Sequence, residues 1–261
     1  MQRRRDLWTL DRTFVVTIMV PSDVLGHRRE FFYSKIIWYN DDVSINIHIL
    51  SASKDIRPHS EELKSTAETT IASVEKLSPI RDVDIVFCDN QRATIDEIGG
   101  IGGFTPNANL IFISLNPRHP NFTKALKKEL SFTLTHELHH TIRWRKQVKG
   151  DTLLEAMIFE GLADHFAIEV TGRNKPSPWS HALTPEQKKT MLKKAEEEWG
   201  LSTYDNNLWF FGSSLDVVPR WAGYTLGYDL VGEYLRANQG SSASKLATAD
   251  ASLFWNTTLY S

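Results

Sequence analysis

Residues 132–144 read FTLTHELHHTIRW, and His136 to His140 within them spell HELHH. At about 100° per residue along a helix, His140 lies about 40° from His136 and Glu137 about 100° from it, so the three share one face. Leu134, Leu138 and Ile142 fall on the opposite side as an apolar stripe. Such a helix buries its leucines and brings two imidazoles to one point. Histidines at i and i+4, with a glutamate directly after the first, have the spacing that holds one zinc ion and sets a base beside it. A solvated helix face carrying three histidines has the same spacing, so a further ligand has to decide.

A catalytic zinc site takes three protein ligands and keeps one position open. The metzincin layout asks for glycine at 143 and histidine at 146, and the chain has Arg143 and Lys146. The other layout asks for a glutamate on a following helix. LLEAMIFEGLADHFAIEV (153–170) is such a helix, and Glu160 stands 20 positions after His140. Leu153, Ala156, Ala163, Asp164 and Ala167 share its face, and the alanines allow close packing against the first helix. An acid in a mostly apolar face is costly without a partner, and a zinc ion is one. This reading sets His136, His140 and Glu160 as ligands of one Zn2+ per chain. Glu155 is the rival third ligand, but it lies about 140° around the helix from Glu160. Asp164, one turn after Glu160, is placed to take the second N–H of a ligand histidine, His136 by preference. His139 and His165 read as ordinary polar neighbours.

The remaining totals narrow the class. The 261 residues, 41% hydrophobic and 24% charged, fit one globular domain. The net charge of −2 offers no basic field for nucleic acid. The single cysteine, Cys88 in the apolar run DIVFC, cannot form a disulfide within the chain and reads as a buried thiol in a reducing, cytoplasmic compartment. MQRRRD followed by FVVTIMV (14–20) begins like a secretion signal, but the apolar run is too short for one and for a membrane span, so it reads as a strand.

Strands are expected at VSINIHIL (43–50) and RDVDIVFC (81–88), with a helix between them over 60–77. IGGIGGFTPNANLIFISLNP (98–117) departs from the dinucleotide-binding glycine pattern at Thr105 and reads as a glycine-rich hairpin. Helices follow over 121–145, 152–170, 185–199 and 219–237, with loops at 172–185 and 206–219. Strands first and helices afterwards predict an α+β fold, one domain over 1–261, sheet-rich to about 118 and helical beyond, with the site between the two parts.

HELHH with EGLAD downstream resembles the gluzincin type of zinc peptidase. The stretches GGFTPNANLIFISLNP, FTLTHELHHTIRW, TLLEAMIFEGLADHF and PRWAGYTLGYDLVGEYL, between about 80 and 240, are similar to a bacterial domain-of-unknown-function family of predicted Zn-dependent proteases. The resemblance implies a zincin-like fold with a small mixed sheet, an exposed edge strand near 104–114, and a peptide or protein substrate paired along that edge. On the general chemistry of zinc hydrolysis, Glu137 acts as base toward a water at the metal. The oxyanion needs a further donor, and Tyr224, Tyr228 and Arg220 are candidates, with Tyr224 preferred. The alternative is a catalytically silent zinc- or peptide-binding module with a chaperone or regulatory role. No membrane or nucleic-acid partner is expected.

Overall fold

The computed structural model describes residues 15–17, 34–36, 44–148, 150–212 and 217–255. They fall into two units, Met1–Val43 and Ser44–Ser261. In the first, strands β1 (Val15–Thr17) and β2 (Ser34–Ile36) pair antiparallel, with Val15 opposite Ile36. β1 lies inside the strand expected over 14–20, and the rest of that segment is outside the described residues.

The second unit is mixed α and β, with a small mixed sheet and a mostly helical C-terminal half. β3 (Ile45–Ile49), β4 (Val83–Asp89), β5 (Ile101–Asn107) and β6 (Leu110–Leu115) form one sheet in the order β3-β4-β6-β5. β3, β4 and β6 are parallel, and β5 joins β6 antiparallel as the expected hairpin. Alternation explains β4: Val83, Ile85 and Phe87 are buried while Asp84 and Val86 are half-buried. The topology corrects the expected edge. β6 has a partner on both sides, so the edge runs over 101–107 and does not extend to 114.

Helix α1 (Ser60–Glu75) crosses between β3 and β4 and buries Leu63, Ala67, Ile71 and Val74 against the sheet. The helix expected over 121–145 is two: α2 (Phe122–Lys128) and α3 (Leu130–Arg145), parted at Glu129. Leu130, Leu134 and Leu138 recur every four residues along α3 and close the core over the sheet.

A second core gathers α4 (Leu153–Thr171), α5 (Pro185–Glu198), α6 (Asn206–Phe211) and α7 (Ala222–Ala237). α4 and α5 both open on capping boxes, Thr152 with Glu155 and Thr184 with Gln187. α6 corrects the loop expected over 206–219. Its start was signalled by Asp205, whose carboxylate accepts from the Leu208 N–H at 3.0 Å. α7 begins three residues later than expected because Trp221, at φ 67°, turns the chain through the left-handed region before it. α4 and α7 touch backbone to backbone: a Cβ on Gly161 would meet the Gly227 carbonyl oxygen at 2.2 Å, and one on Gly227 would meet that of Met157 at 2.0 Å. No described helix is long and apolar enough to cross a membrane.

Candidate metal centre

α3 and α4 lie against each other, and their facing turns carry the cluster that the spacing suggested. His136, His140 and Glu160 each offer one ligand atom, and these atoms all lie within 4.8 Å of one another. Glu160 Oε2 is 3.0 Å from His136 Nε2 and 3.5 Å from His140 Nε2. Both imidazoles are buried and meet edge to face, with centroids 4.6 Å apart. Burial alone would raise the Glu160 carboxyl, but His140 and His136 hold it well below the usual carboxylate range. Burial alone would lower His136, but Asp164 and Glu160 carry it well above its ordinary value.

Two buried imidazole nitrogens and one half-buried carboxylate oxygen, beside a cleft, make a donor set that suits zinc. The tautomer of His136 agrees with that use. Asp164 Oδ1 lies 2.8 Å from Nδ1 and accepts its N–H, so Nε2, which faces Glu160 at 3.0 Å, is the nitrogen that a metal would take in place of a proton. His140 Nδ1 is buried without a hydrogen-bond partner. Glu155, the rival ligand, is taken by the α4 cap, where its carboxylate accepts from the Thr152 N–H at 2.8 Å.

Asp164 is held from the segment 172–185, expected as a loop. Trp179 Nε1 donates to Asp164 Oδ2 at 2.9 Å, and the Ser180 hydroxyl donates to the same oxygen. Both sit on a 3-10 turn, Pro178–His181, which α7 holds in turn: Thr225 Oγ1 donates to the Trp179 carbonyl at 2.7 Å. Nothing local in the sequence marks these partners.

Glu137 is buried beside the cluster and faces β5. Thr105 Oγ1 donates to Glu137 Oε2 at 2.6 Å. Gly103 lies so close that a Cβ there would stand 2.3 Å from Glu137 Oε1. These contacts were not foreseen either.

A cleft of about 430 Å³ opens in front of these groups, lined by Gly103, Glu137, Phe159, Glu160, Trp221 and Tyr224. Tyr224 is enclosed by Trp179 and Phe210, at centroid distances of 6.2 and 5.0 Å. Burial, followed by the carboxylates of Glu160, Glu137 and Asp164, raises its phenol well above the ordinary value. Tyr228 points elsewhere, stacked on His165 at 4.2 Å. Arg220 reaches the cleft but is engaged with Glu97 at 2.6 Å and lies over the Trp221 ring. A larger hollow of about 630 Å³, edged by Lys127, Lys128 and Arg173, holds none of the cluster.

α3 is buried on nearly every side. His139 is fully enclosed against Phe166, and burial with the nearby Arg143 charge keeps it neutral. Arg143 is itself buried and donates to the carbonyls of Ala247 and Ala249, tying the C-terminal segment to this helix. The solvated-face reading therefore does not describe this helix.

A family model described as "Predicted Zn-dependent protease (DUF2268)" matches residues 28–255. The chain is also 34% identical over 124 residues to "Uncharacterized protein YjaZ" of Bacillus subtilis (strain 168). That alignment covers 45% of this chain and spans about half, 47%, of the relative. No solved structure matches.

Proposed function

We propose, on the premise that this chain belongs to the family of predicted Zn-dependent proteases, that it is a zinc-dependent peptidase of the gluzincin type with a zincin-like fold. The observation that carries this reading is the convergence of His136, His140 and Glu160 within 4.8 Å, beside a buried Glu137 on the wall of a cleft. His136, His140 and Glu160 would hold one zinc ion, which supplies Lewis acidity to the scissile carbonyl and to a water molecule.

This chain's own residues do the rest. Glu137 takes the proton of the attacking water and returns it to the leaving amine. Tyr224 donates its hydroxyl to the carbonyl oxygen as negative charge develops there. Its raised pKa keeps that proton in place at neutral pH. Asp164 orients His136 through Nδ1. The substrate peptide lies along the β5 edge, in front of Glu137.

Two measurements test this. Elemental analysis of protein purified without chelator should find about one zinc per chain, lost in Glu160→Ala and kept in Glu137→Gln. A diverse peptide library, read by mass spectrometry, should then show cuts made by zinc-loaded protein and absent with Glu137→Gln. Zinc retained without any cut would replace this reading with a peptide-binding module. Equal zinc retention in Glu160→Ala and Glu137→Gln would remove Glu160 as a ligand.

A further inference from the structure

The β5 edge that borders the cleft is closed at both ends. Along an antiparallel strand the backbone N–H and C=O groups of successive residues point alternately to the two sides. Gly100 faces β6, since its carbonyl accepts from Asn116 N at 2.8 Å. Leu115 and, by alternation, Ile113 turn their groups toward β4, as the Asn90 N to Leu115 O bond of 3.0 Å shows. Gly102 and Phe104 therefore bond to β6, Ile101 and Gly103 face outward, and beyond Phe104, where the register shifts, the Thr105 carbonyl is also directed outward.

Two of these three outward residues are occupied. The Ile101 carbonyl accepts from Ile95 N at 3.0 Å, where the 93–95 segment crosses the edge. The Thr105 carbonyl accepts from the Trp144 indole N–H at 3.3 Å, from the last turns of α3. Between them Gly103 is exposed, and its missing side chain lies against Glu137 Oε1. Among the described residues, Gly103 is thus the one place where both main-chain groups of this edge stay open, and it is next to the proposed base.

Resting on the reading of this cleft as a peptide site, we propose that it takes a short extended peptide, joined to the protein main chain at the single residue Gly103. Trp144 and the 93–95 segment stop the pairing on either side. Each further strand pair adds affinity where an edge is free, so an edge one residue long gains nothing from a longer substrate. The enzyme then acts on short peptides without favouring long unfolded chains, and the aromatic walls around Trp221 and Tyr224 supply the remaining contact.

The test is a length series on zinc-loaded Glu137→Gln protein, which holds a peptide without cutting it. Labelled peptides centred on phenylalanine, from about three to about twelve residues, are titrated by fluorescence anisotropy. Affinity should rise to about five residues and then stay level within about twofold. Trp144→Phe, added to the same protein, removes the indole N–H, keeps an aromatic ring near Phe159, and frees the Thr105 carbonyl. There the climb should continue by roughly fivefold for one more hydrogen bond. A wild-type-edge affinity that climbs over the whole series, a Trp144→Phe series no different from its parent, or no binding at any length overturns the inference. A plateau at short length in a protein that cleaves nothing leaves the short edge standing and removes the peptidase reading instead.

Discussion

Thr105 Oγ1 donates to Glu137 Oε2 at 2.6 Å and lies 3.2 Å from the Glu137 carbonyl, so the proton of one strand hydroxyl goes to the nearer oxygen and ties the side chain of this helical glutamate to β5. The space that a side chain at 103 would take is filled by Glu137 Oε1, so the carboxylate is held at Oε2 and lies close against the strand at Oε1. On the peptidase reading, Thr105→Val keeps the shape and removes the donor. Turnover should fall roughly ten- to hundredfold with KM and zinc content unchanged, because a base held loosely is a base misplaced. Thr105→Ser should recover most of the rate. Steady-state kinetics on one peptide decides, and full activity in the valine variant would show that the hydroxyl positions nothing.

The Asp164 carboxylate gathers His136, Trp179 and Ser180. Asp164→Asn removes its charge and puts a donor among donors. Zinc affinity should drop about 10- to 100-fold, measured by competition with a chromogenic chelator. Ser180→Ala, which removes one of three donors, should lose less. An unchanged affinity in Asp164→Asn would separate this carboxylate from the metal centre.

Gly161 and Gly227 let α4 and α7 meet without side chains between them. Gly161→Ala places a methyl group on the Gly227 carbonyl, which is backbone and cannot swing aside. The helices must part, at a cost of about 3 kcal/mol in urea unfolding. A loss below about 1 kcal/mol would mean that the two helices shift freely against each other.

His165 is largely enclosed against Tyr228, and burial lowers its pKa although its ring lies 2.9 Å from the Tyr228 carbonyl. The unfolded chain binds a proton at this histidine near pH 6.5, and the folded chain only at lower pH. The contribution of neutral His165 is therefore complete above about pH 6.5 and is lost as pH falls below it, by at most about 1.4 kcal/mol per pH unit. In chelator, the urea midpoint of the wild type should fall further between pH 7.5 and 5.5 than that of His165→Gln. Parallel declines would show that His165 takes its proton equally in both states.

What could be read from the chain alone was local. The i, i+4 histidines, the leucine stripe behind them, Glu160 and Asp164 one turn apart, and the capped starts of α4 and α5 all depend on residues within a turn or two of each other. Periodicity reaches that far, because side chains three and four apart on a helix share a face. The mixed α and β composition followed from the same local patterns.

Tertiary structure decided the rest. Thr105 meets Glu137 across 32 positions and Arg143 meets Ala247 across 104, and neither contact leaves a trace in the spacing of its own segment. Nor could a glycine-rich hairpin show which of its strands lies at the sheet edge, since edge position depends on which backbone groups find partners and side-chain alternation is blind to that. Tyr224 and Tyr228 share a helix face in sequence, yet one lines the cleft and the other stacks on His165. Only the surfaces brought against α7 distinguish them, and those surfaces come from α4, α6 and the 178–181 turn, which meet α7 by packing.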